Sequence, residues 1–189
     1  CNKNVRSRLM GIPTLIKTQT ASDSASLDFV DGTSDVVFDS TYDEYMFVFT
    51  DIGPATDQTQ FSFQVNATDD AGGGFDTSLI TSTFFRSVHA EDDTPAELGY
   101  VTNTDLAQSA NFQMLNEKDQ VGNASDESLA GILHIFSPSS TTYVKNFYSR
   151  VSIYGYDGRA MDNFVAGYIN DTTAIDEISF KFNSGNFDG

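Results

Sequence analysis

The sequence predicts an all-β fold: a two-sheet antiparallel β-sandwich, jelly-roll-like, with little helix. Three observations predict it. From Ala25 onward apolar residues recur at every second position rather than every third or fourth. Some ten such runs follow one another in 189 residues. Between them lie turn clusters: Asp31-Gly32, Asp69 to Gly74, Ser137-Pro138-Ser139-Ser140 and Ser184-Gly185-Asn186.

Taken in order, Leu15-Ile16-Lys17-Thr18 reads as a short strand, and residues 26–30 and 36–38 as two more. Tyr45, Phe47 and Phe49 point one way while Met46, Val48 and Ile52 point the other, so this strand, apolar on both sides, belongs at the centre of a sheet. Phe61, Phe63 and Val65 alternate with Ser62, Gln64 and Asn66, the pattern of a strand with one wet face. Residues 79–88 form another strand. Leu129, Leu133 and Ile135 alternate with Ala130, Ile132, His134 and Phe136, again a central strand. Residues 143–154 make a long alternating strand, followed by 163–169 and by Ile178, Phe180 and Phe182. Helical turns are expected only within 104–115 and 126–130. The poorly patterned stretch 90–126 is expected to be a long excursion at one end of the sandwich. The inner faces should hold Phe47, Phe49, Phe61, Phe63, Leu133, Ile135, Phe147, Val151, Phe180 and Phe182.

Composition narrows the class. A hydrophobic fraction of 39% with 13% aromatics exceeds that of a disordered chain. No run approaches the roughly 18 apolar residues of a membrane helix. Val5 to Ile16 is interrupted by Arg6, Arg8, Gly11 and Pro13, unlike a secretory signal. A single cysteine, Cys1, excludes an internal disulfide framework and a Cys-rich zinc site. Ten Lys and Arg against 27 Asp and Glu give a net charge of −17, which argues against nucleic acid as a partner. The charge is unevenly placed. Residues 1–22 hold Lys3, Arg6, Arg8 and Lys17 and no acid, +4 in all; the remainder holds 27 acids and six bases, −21. Residues 1–22 therefore read as a basic N-terminal arm or first strand, and 23–189 as one sandwich domain. As an arm it would dock on a neighbouring subunit through Arg6, Arg8, Leu9, Met10 and Ile12. Both ends read as cut: residue 1 is Cys, and the chain stops just after an alternating strand.

Motifs for chemistry are sparse. The sequence has no Gly-x-Ser-x-Gly elbow, Walker loop or His-Glu-x-x-His helix. His89, followed by Glu91, Asp92 and Asp93, reads as a strand-end histidine entering an acidic loop. His134 lies in a separate strand. The acidic loops Asp51/Asp57, Asp69/Asp70/Asp76, Glu91/Asp92/Asp93 and Asp157/Asp162 read as solvated surface, since none has the spacing of a calcium loop. Three tripeptides beginning at Asn66, Asn123 and Asn170 fit the glycosylation pattern, which matters only in a secreted chain. No catalytic residue, cofactor or metal ligand is assigned. Tyr148, Arg150, Tyr154, Tyr156 and Asp157 would suit a carbohydrate site, with rings to stack on sugars and polar groups for hydroxyls. The absence of Trp weakens that reading.

Certain runs carry a resemblance: Lys17-Thr18-Gln19-Thr20-Ala21-Ser22, Asp39-Ser40-Thr41-Tyr42-Asp43-Glu44-Tyr45, Pro138-Ser139-Ser140-Thr141-Thr142-Tyr143-Val144-Lys145 and Thr173-Ala174-Ile175-Asp176-Glu177-Ile178. Over residues 15–189 the chain resembles a family of virion-associated proteins of tailed bacteriophages, marine ones especially. The family is mostly uncharacterised, and its members look like structural components of the capsid surface or of the tail and fibres. In similar sequences the Ser-Gly-Asn run leads into a further strand. The resemblance implies a non-enzymatic structural protein located in the virion, docking through the N-terminal arm and the sandwich edges, with other virion proteins and further copies of itself as partners, for example in a trimer. It implies no cofactor, no nucleic acid and no membrane. The alternative is a carbohydrate-binding sandwich that recognises host-surface polysaccharide.

Overall fold

The computed structural model describes residues 12–68 and 78–188. They form ten strands: β1 Leu27–Val30, β2 Glu44–Ile52, β3 Phe61–Ala67, β4 Ile80–Ala90, β5 Ala96–Tyr100, β6 Gln113–Met114, β7 Leu129–Phe136, β8 Lys145–Gly155, β9 Arg159–Ile169 and β10 Ile175–Phe182. One sheet has the order β1-β10-β3-β6 and the other β2-β7-β8-β9-β4-β5. Every pairing is antiparallel. The two sheets pack face to face as a sandwich with a jelly-roll-like winding, first strand beside last, and the β7–β8–β9 meander widens one sheet to six. The described residues contain no helix, so the helical turns expected within 104–115 and 126–130 do not form.

Alternation builds the core. Along β8 the side chains of Lys145, Phe147, Ser149, Val151 and Ile153 are buried, while those between them are exposed. Phe180 of β10 sits at the centre, its ring 5.2–6.5 Å from those of Phe29, Phe47, Phe49, Phe61 and Phe63. Phe63 and Phe147 join the sheets edge to face at 5.1 Å. Of the ten residues expected inside, nine are buried and Phe47 is half-buried against the same cluster. A Cβ at Gly167 would run into the Thr81 carbonyl and the Phe147 ring, so glycine lets β9 pass under that ring.

Several expectations fail for identifiable reasons. β2 is an edge strand, paired with β7 alone, and its second apolar row, Met46 and Val48, points to solvent rather than into another core layer. β3 has no wet face: all seven residues are buried. The amide of Gln64 donates to the carbonyls of Ser78, Ala110 and Asn111, and segment 109–111 thereby covers the outer side of β3. Stretch 90–126 is accordingly no excursion at one end. It supplies β5 to one sheet and β6 to the other, and Arg86 ties it down through Glu97 at 2.7 Å and through Glu117. Neither 15–18 nor 36–38 is a strand, although Ile16 packs on the core and Val36 and Phe38 are buried. After β10 the chain turns at Gly185 and buries Phe187 against Phe61 and Phe182.

Candidate docking face

The residues that alternate with the core on the six-stranded sheet form its outer face. Register places Val48, Ile132, Arg150, Phe164, Phe85 and Tyr100 in one row across all six strands. The adjoining row runs Met46, His134, Tyr148, Ala166, Thr83. Within these rows His134 is buried beneath Tyr148, and most of the other large side chains are open to solvent. Val48 is 60% exposed, Tyr100 54%, Met46 45%, and Phe85 and Tyr148 42% each; Leu98, on the same face of β5, is 73% exposed.

The side chains order one another. Phe85 and Phe164 stack at 4.7 Å with their planes 5° apart. Arg150 lies over Phe164 at 4.9 Å and is gripped by Asp162 through Nε and Nη2. That hydrogen-bonded carboxylate holds the guanidinium even further above its ordinary pKa. Tyr148 stacks on His134 at 4.5 Å, and the His134 Nδ1 lies 2.5 Å from Glu44. The Tyr100 hydroxyl donates to Asp105 at 2.5 Å, which raises its pKa. At outward strand positions the charged residues are Glu44, Arg150 and Asp162, so the face is close to neutral on a chain of −17.

A shallow depression of about 300 Å³ lies in this face, lined by Ala130, Gly131, Arg150, Ser152 and Asp162. Of the five carbohydrate candidates, Tyr148, Arg150 and Tyr154 share the outer side of β8. Tyr156 and Asp157 lie in the β8–β9 turn, where Asp157 pairs with Arg159 at 3.0 Å. The structure thus gathers three and separates two. Tyr154 has its pKa raised, chiefly by the Glu91 charge. Of the arm candidates, Arg6, Arg8, Leu9 and Met10 lie outside the described residues, and Ile12 is 94% exposed.

The remaining candidates behave as isolated groups. His89 meets Asp93 at 3.0 Å, both at the surface. Among the described residues no three His, Cys, Asp or Glu side chains gather as metal ligands. Asp69, Asp70 and Asp76 lie outside the described residues. Asn66 is 8% exposed within β3 and inaccessible to modification in the folded chain. Alternation in β8 was the one signal in the sequence for this face. Phe85, Phe164, Asp162, Met46 and Val48 join it only through strand register. No protein-family model, curated protein or solved structure matches the chain.

Proposed function

We propose that the chain is a non-enzymatic structural component of a phage particle, docking through the outer face of its six-stranded sheet. The observation that carries the docking role is that face itself: exposed, aromatic and nearly neutral on an otherwise strongly acidic protein. Acidic surfaces elsewhere repel nonspecific neighbours and the packaged genome, which leaves this face as the region open to contact. The phage setting rests on the four sequence runs that resemble virion proteins. Purified, washed particles of the phage that encodes the chain should contain it at a fixed copy number per particle. Its absence from washed particles overturns this reading.

A second reading follows from the depression beside Arg150 and Asp162, flanked by Tyr148 and Tyr154. A neutral host polysaccharide could stack there and bond to the ion pair. Binding of such a polysaccharide by the isolated protein, lost in Tyr148→Ala, would favour it.

A further inference from the structure

The identity of what covers this face can be argued further, and the argument rests on the docking reading above. We infer that its occupant is a second copy of this chain, packed sheet against sheet about a two-fold axis.

Area is the first argument. Six strands spaced about 4.8 Å apart, at about 3.3 Å per residue, present roughly 800 Å². That is the area each partner contributes to a stable interface of standard size. A sugar held in the depression would cover Ala130, Ser152 and their surroundings and leave Val48, Phe85, Leu98 and Tyr100 in water. Only a partner as broad as the sheet covers both edges of the row.

Charge is the second. Two chains of −17 repel one another over most of their surfaces. Across this face the repulsion is least, because Arg150 is matched by Asp162 and Glu44, which bonds to His134, is the one carboxylate left over at an outward strand position. A basic partner would be drawn to the acidic surfaces elsewhere. Nucleic acid would find one arginine, already neutralised.

Order is the third. Phe85 is held by Phe164, Tyr148 by His134, and Arg150 by both Phe164 and Asp162. Less side-chain freedom is lost when a partner covers rings that already fix one another. Two sheets stack about 10 Å apart in aligned or orthogonal fashion, and a two-fold axis makes the contact self-complementary. A pair is the unit this face builds, where the sequence named a trimer only as one example of a homo-oligomer.

The test is sedimentation velocity on the full chain from about 1 to 100 µM, in low and high salt. A dimer is expected, and it should tighten as salt screens the −17/−17 repulsion. Val48→Glu and Leu98→Glu alter well-exposed positions in β2 and β5, the two edge strands of the face, so the fold should survive both. Each should weaken the dimer at least tenfold. Tyr143→Glu adds the same charge at a 72% exposed position outside the strands and should leave the dimer within twofold. A chain that stays monomeric at 100 µM in high salt overturns the inference, as does a dimer indifferent to both edge variants. Neutral polysaccharide binding by a monomer, lost in Tyr148→Ala, also overturns it and hands the face to the second reading. A monomer still found in washed particles would overturn this inference alone. A dimer absent from particles would overturn the particle reading and leave the pairing standing.

Discussion

Arg150 is held by Asp162 through three contacts, Nε to Oδ1 at 3.0 Å, Nε to Oδ2 at 3.2 Å and Nη2 to Oδ2 at 2.6 Å. The pair bridges adjacent strands β8 and β9 on the outer face, where the arginine would otherwise leave an unmatched charge among aromatic rings. Arg150 is well exposed, so solvent screens the bridge and it contributes little to folding.

Arg150→Ala and Asp162→Ala are therefore expected to shift the melting temperature by no more than about 2 °C. Asp162→Ala leaves the arginine uncompensated and should reduce incorporation into particles several-fold, whereas the double variant, neutral again, should recover part of it. Copy number in washed virions measures this. Equal incorporation by all three variants would show that charge on this face is irrelevant to docking.

Tyr45 gives the fold an alkaline limit. Its hydroxyl donates to the Asp39 carbonyl at 3.1 Å, and its pKa is pushed up to about 12, first by burial and then by the charges of Asp39 and Asp31. An unfolded tyrosine titrates near 10, roughly. The unfolded chain therefore loses this proton first, and stability should be complete below pH 10 and fall between about pH 10 and 12. Chemical denaturation across that range should show the decline, and Tyr45→Phe should flatten it. An unchanged slope in the variant would assign the decline to other groups.

Gln64 is the pin that holds segment 109–111 on β3. Its Nε2 reaches three main-chain carbonyls at 3.1 Å each, and its Oε1 accepts the Val65 N–H at 2.8 Å. Gln64→Leu fills much the same volume but strands the buried Val65 N–H and Ser78 carbonyl and frees the partly buried carbonyls of Ala110 and Asn111, at a cost of about 2–3 kcal/mol. The melting temperature should fall by roughly 5–10 °C, and amide hydrogen exchange over residues 106–115 should accelerate. A melt unchanged in Gln64→Leu would mean that water replaces the amide at no cost.

These residues also explain what was legible in the sequence. The inner faces were readable because period-two alternation of Phe, Val, Ile and Leu leaves few arrangements other than a sandwich. Gln64 was not, since a buried amide satisfied by a distant main chain looks in sequence like any solvated glutamine. Met46 and Val48 misplaced β2 for a related reason: alternation registers that a side chain is apolar and is silent on whether its own fold or a partner covers it. Tyr148, Arg150 and Tyr154 fell on one face by alternation alone. Asp162 could not be matched to Arg150 without the β8–β9 register, which brings together residues twelve apart.

The arm supplies the last prediction. Between Lys17 and Arg86 the sequence has no Lys or Arg, so the part of the chain forming β1 and β2 is rich in acids that a +4 segment can approach. Among the described residues of this segment, Ile16 packs on the core and the Gln19 Nε2 donates to the Asp28 carbonyl at 2.7 Å, while Ile12 and Leu15 are 94% and 80% exposed. If residues 1–13 dock on a neighbouring subunit, as the sequence leads one to expect, ordering them costs roughly 1–2 kcal/mol each, and that contact must offset the cost. Deleting residues 1–13 should leave the melting temperature of the isolated chain within about 2 °C and abolish incorporation into particles. Docking by Arg6 and Arg8 on acids weakens as salt rises, whereas pairing through the sheet face strengthens. Opposite salt dependences thus separate the two contacts within one protein. A fall of many degrees in the melt on deletion would place the arm in the domain's own core and end the tether reading.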